Sequence, residues 1–117
     1  MNLTPIKEVA ADIKSIKIQG ATNIAKAGIG MLAKELKRQK FKDMKELDTF
    51  IKQALVLLKT ARDTEPMLFN GLRDCFSAYK ALIAKKCDLK AMQEALYKEC
   101  KSYLQDIETE EALRPLV

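Results

Sequence analysis

The chain has 117 residues, 48% hydrophobic and 32% charged, which suits one hydrophobic core and leads to the expectation of a single domain rather than a multidomain enzyme. Only four Gly and three Pro, with Lys, Glu, Ala and Leu dominant, exclude disordered and fibrous classes and predict an all-α domain over residues 1–117, about five helices in a compact bundle. There is no His, so the commonest general base and the usual zinc ligand are missing together, and the formal charge is +5.

Thr4 followed by Pro5 predicts a helix start, with the hydroxyl as cap and the proline in the first turn. Ile6, Val9, Ala10, Ile13 and Ile16 then recur at helical spacing, so the first helix should run to about Lys17. Gly20 breaks the pattern. A second helix, about 21–39, carries the stripe Ile24, Ala27, Met31 and Leu32, and the small residues Ala21, Ala25 and Gly28 predict close approach of a neighbouring helix. Asp43 and Glu46 read as a capping box for a third helix, whose apolar face is Leu47, Phe50, Ile51, Ala54, Leu55 and Leu58. The residue before Pro66 avoids helical dihedrals, so a fourth helix begins there and should bury Leu68, Leu72, Cys75, Phe76, Tyr79, Leu82 and Ile83. Asp88 caps a fifth, with Leu89, Met92, Leu96, Cys100, Tyr103, Leu104 and Ile107 on its face.

Cys75, Cys87 and Cys100 are odd in number and form no CxxC pair, so they read as reduced, packed thiols of a cytoplasmic protein, with no metal and no cofactor implied. Lys7, Glu8 and Asp12 interrupt any signal-like apolar stretch, and the longest aliphatic run, Ala54 to Leu58, is too short to span a bilayer; no membrane association is expected. Residues 1–60 hold 12 Lys and Arg against 6 Asp and Glu, whereas residues 61–117 hold 9 against 10. The excess cations cluster at Lys34, Lys37, Arg38, Lys40, Lys42 and Lys45. They suit a helix C-terminus, and without interleaved aromatic residues they do not favour nucleic acid as a partner.

Two junctions carry ligand chemistry in principle. Gln19, Gly20, Ala21 and Thr22 open the second helix, where free N–H groups and the helix dipole suit a phosphate. Arg62-Asp63-Thr64-Glu65-Pro66 opens the fourth, with Asn70 one turn inside, and a guanidinium there can hold an oxyanion. Both also have a structural reading: an ordinary helix start for Gly20, and a surface pairing with an acidic residue for Arg62.

Ile16-Lys17-Ile18-Gln19-Gly20-Ala21, then Ala61-Arg62-Asp63-Thr64-Glu65-Pro66 and Asn70-Gly71-Leu72-Arg73, resemble the N-terminal helical region of the alpha, beta and delta subunits of translation initiation factor 2B. That family includes ribose-1,5-bisphosphate and methylthioribose-1-phosphate isomerases. In its isomerases the first motif reads Arg-Gly-Ala and the second Arg-Pro-Thr, and both help hold the sugar phosphate. The resemblance thus assigns ligand or phosphate binding to Gln19, Gly20, Ala21, Arg62 and Thr64. Gln19 at the arginine position and Asp63 at the proline position lower the positive charge there.

The resemblance also places the isomerases' catalytic Cys and Asp in a C-terminal Rossmann-like domain that this chain is expected to lack, so no catalytic residue is assigned. The expectation is a noncatalytic, protein-interaction domain whose basic residues Lys34, Lys37 and Arg38 meet an initiation factor 2-like partner. The alternative is the substrate-phosphate-binding part of a ribose-1,5-bisphosphate isomerase-like enzyme. A five-helix domain without its usual neighbour should also expose apolar surface and form a homo-oligomer.

Overall fold

The computed structural model describes residues 1–18, 20–62 and 65–113, with side chains through Thr109. Among these the chain forms α1 (Thr4–Lys14), α2 (Ala21–Arg38), α3 (Met44–Ala61), α4 (Pro66–Ala84) and α5 (Leu89–Leu113), with no strand. The all-α expectation holds. Pro5 and Pro66 each occupy a first turn, where a missing N–H costs nothing. Asp43 accepts from the Glu46 N–H at 2.9 Å and Asp88 from the Ala91 N–H at 2.7 Å, so both predicted caps form. Glu46 returns to the Lys42 N–H (3.2 Å) rather than to Asp43. The Thr4 hydroxyl caps nothing: Asn2 Oδ1 instead accepts from the Thr4 N–H at 2.9 Å.

Successive helices run in opposite directions. The start of α1 meets the end of α2 through a reciprocal pair, Asn2 N–H donating to Gln39 Oε1 (2.9 Å) and Gln39 Nε2 donating to the Asn2 carbonyl (2.6 Å). Gln93 on α5 donates to the carbonyls of Leu36 and Gln39 at 3.0 and 2.9 Å, giving partners to acceptors that a helix end otherwise leaves open. The Tyr79 hydroxyl of α4 donates to Asp48 of α3, and the Tyr103 hydroxyl of α5 to the Met67 carbonyl of α4. The central helix is α2, which packs on α1, α4 and α5.

That central position decides which side chains are buried. On α2 the core residues are Ile24, Ala25, Gly28, Ile29, Leu32, Ala33 and Leu36, while Ala27 and Met31 sit at its margin. A single amphipathic stripe was expected, but a helix embraced by three others buries a wider arc, rotated toward Ile29 and Leu36. Close approach occurs at Gly28 and Gly71, not at Ala21, which is exposed. A methyl on Gly28 would lie 2.8 Å from Leu68 Cδ1, and one on Gly71 would lie 2.6 Å from Tyr103 Cε1.

The first helix ends three residues earlier than expected. Ile16 adopts φ 66° and is 57% exposed, so it leaves the predicted apolar face. The Ile16 N–H bonds to the Ile13 carbonyl and the Lys17 N–H to the Asp12 carbonyl, the paired pattern in which glycine usually takes the left-handed position. Ile83, also expected inside, is 46% exposed. Cys75 and Cys100 are buried opposite each other as free thiols, the Cys100 Sγ donating to the Cys75 Sγ at 3.9 Å, and Cys87 is half-buried. The Cys75 contact and burial push the Cys100 thiol above its ordinary range, favouring its protonated form.

Candidate functional site

The alternation of directions collects the C-terminal ends of α1 and α3 with the N-terminal ends of α2 and α4 at one end of the bundle. The contact that fixes this is Arg62, which follows α3 and is half-buried. Its Nη2 donates to the Ile13 carbonyl of α1 at 3.2 Å, and Ile13 lies one short connection ahead of Gly20. The guanidinium therefore tethers the second corner to the chain entering the first. Among the described residues its partner is this backbone carbonyl, and the bond engages one of five N–H donors.

Gly20 has φ 90° and ψ 135°, a conformation that a side chain would strain, and its carbonyl accepts the first bond of α2 from the Ile24 N–H at 2.9 Å. No described side chain caps this end, and Ala21 is exposed beside it. At the second corner the Glu65 N–H closes a turn onto the Arg62 carbonyl (3.2 Å), after which α4 begins with Asn70 half-buried one turn inside. Gln19, Asp63 and Thr64 lie outside the described residues. The arrangement offers backbone N–H groups, a helix N-terminus and one guanidinium on the same end, a donor set suited to an anion. Among the described residues, no three His, Cys, Asp or Glu side chains gather as a metal ion would need.

Lys34, Lys37 and Arg38 belong to the other half of α2, away from these corners. Lys37 Nζ lies 4.8 Å from the centre of the Tyr97 ring. Arg38 grips Glu35 with two hydrogen bonds, 2.9 and 2.6 Å. Glu35 is only 1% exposed, and Gln39 donates to it as well at 2.9 Å. The Arg38 bonds hold its carboxyl below the usual range against the opposing effect of burial, with Gln39 adding to the lowering. Part of the Arg38 charge is thus already answered inside the fold. Lys34, Lys37 and Arg38 share a surface groove with Tyr97 and Lys101 of α5, a neighbour that sequence spacing within α2 could not supply.

The sequence matches the profile of the initiation factor 2 subunit family over residues 17–113, a stretch holding both corners and all of α2 to α5. The chain belongs to that family. Methylthioribose-1-phosphate isomerase of Trichoplax adhaerens is 40% identical over 68 residues, covering 58% of this chain and 19% of the relative. The protein of the same name from Nematostella vectensis is 33% identical over 94 residues, 80% and 26% of the two chains. Ribose 1,5-bisphosphate isomerase of Pyrococcus furiosus is 28% identical over 108 residues, 92% and 33%. The chain therefore aligns with a third or less of each of these relatives. Among the described residues, no helix is long and apolar enough to cross a membrane.

Proposed function

We propose that this helical region presents the Gly20 and Arg62 corners to a sugar phosphate, as the ligand-holding part of an isomerase-type protein of the initiation factor 2 subunit family, and that the bond-making groups of such a reaction lie outside these residues. The observation carrying this reading is the Arg62 bond to the Ile13 carbonyl, which fixes the two corners at one end of the bundle. The relatives named above, both kinds sugar-phosphate isomerases, agree with it. Gln19 and Asp63 stand where the family's isomerases carry Arg and Pro, so the affinity is expected to be weak. Titration with ribose 1,5-bisphosphate, followed by amide NMR, is expected to shift Gly20 to Asn23 in the wild type and not in Arg62→Ala. Unchanged spectra for both proteins reject the reading.

A second reading has its own observation. Lys34, Lys37, Arg38 and Lys101 line one groove, and this basic face suits an acidic partner such as an initiation factor 2-type subunit in the cytoplasm. Capture of the initiation factor 2 alpha subunit at low salt, lost in Lys34→Glu/Lys37→Glu, supports it. Failure of the wild type to capture that subunit removes it.

A further inference from the structure

On the face formed by α3 and α4 the seam between the two helices is open. Leu55 and Val56 on one helix and Phe69, Leu72 and Phe76 on the other form the floor of a groove of about 420 Å³. This apolar surface remains in contact with water: Val56 is 60% exposed and Phe69 36%. From Lys52 to Lys59 the groove follows α3 for roughly 10 Å, two helical turns.

The rim is cationic on both sides. Lys52 and Lys59 stand along α3 and Arg73 along α4. Lys59 Nζ lies 5.3 Å from the centre of the Phe69 ring, and Lys80 Nζ lies 5.1 Å from that of Phe76, so the ammonium groups edge the aromatic floor. Lys52 also pairs with Asp48 at 3.0 Å and Arg73 approaches Asp74 at 3.8 Å, but both arginine and lysine remain largely exposed to solvent. An apolar trough two turns long between rows of cations matches one occupant in shape and charge. It is a helix with apolar side chains on one face and carboxylates flanking them.

We propose that the α3–α4 groove docks an acidic amphipathic helix of a partner protein, with its apolar face against Val56, Phe69 and Phe76 and its carboxylates against Lys52, Lys59 and Arg73. The floor itself is made of Leu55, Val56, Phe69, Leu72 and Phe76, which suits apolar side chains rather than a sugar phosphate. The two proposals stand independently of each other.

The probe is a labelled synthetic peptide of about 14 residues, long enough to be helical when bound, with Leu at positions i, i+3, i+4 and i+7 and Glu on either side. Fluorescence anisotropy is expected to show saturable binding to the full chain. Val56→Glu and Lys59→Glu should each weaken it by about tenfold or more, whereas Lys7→Glu on α1 leaves it unchanged. Both altered side chains are exposed, and circular dichroism confirms that the variants keep their helix content. Equal binding of a peptide with Lys in place of Glu, or of a scrambled peptide, overturns the proposal. So do undiminished binding to Val56→Glu, tighter binding of phosphatidylserine vesicles through the same residues, and a dimer abolished by Val56→Glu, which would assign the groove to a second copy.

Discussion

At the end of the bundle where α2 finishes, polar side chains are spent on one another. Glu35 takes Arg38 and Gln39, Gln39 exchanges two bonds with Asn2, and the amino terminus meets Glu46 at 3.4 Å. At the opposite end the described features include the unusual dihedrals of Gly20 and Ile16 and the Arg62 bond to a carbonyl. The first end works as a latch because the buried Glu35 carboxylate demands partners and finds them in Arg38 and Gln39 at the end of its own helix, while Gln39 reaches across to Asn2 ahead of α1. The second gathers the N-terminal ends of α2 and α4 beside the Arg62 guanidinium.

Breaking the latch should have the largest effect. Glu35→Ala removes charged hydrogen bonds from a buried site and is expected to lower stability by about 1.5 to 3 kcal/mol, measured by urea unfolding. The same latch sets a pH dependence. Because the folded-state pKa of Glu35 lies below its ordinary value of 4.5, its stabilisation is present above that value and is lost as pH falls through the folded pKa. Glu35→Gln should therefore flatten the acid limb of a thermal-stability profile. Asp48, held low chiefly by the Tyr79 hydroxyl with help from Lys52, keeps part of the slope in the variant. An unaltered limb would show that the latch does not couple to folding.

The corner end responds to backbone changes instead. Gly20→Ala forces a side chain into φ 90° and is expected to cost about 1 to 2 kcal/mol in the same urea experiment, although the added methyl finds ordinary contact with Asn23 at 3.6 Å. The smallest effect has the opposite sign. Ile16→Gly relieves a β-branched residue at φ 66° and should raise stability by roughly 0.5 to 1 kcal/mol, after allowance for the greater freedom of glycine in the unfolded chain. If Ile16→Gly destabilises instead, the isoleucine side chain does more at this corner than its exposure shows.

Several of these features can be read in the linear chain. Pro5, Asp43, Pro66 and Asp88 mark helix starts by local chemistry, and the apolar spacing of Leu47 to Leu58 identifies the buried face of α3 without knowledge of its neighbours. The corners around Gly20 and Arg62 were visible as interruptions in periodicity. The partner of Arg62 was not, since it is a main-chain carbonyl, and main-chain carbonyls occur at every position. The exit of Ile16 from the core was equally hidden, because its spacing continues the stripe and only the chain reversal after Lys14 turns it out.

Sequence alone thus determined the number of helices, their approximate limits and the family relationship, all of which rest on local propensity, caps and short motifs. Tertiary structure decided which arc of α2 is buried, where Gly28 and Gly71 admit their neighbours, and which surfaces gather at each end or seam. Those outcomes depend on distances between residues far apart in the chain, and a helical period carries no information about the helix that will lie across from it.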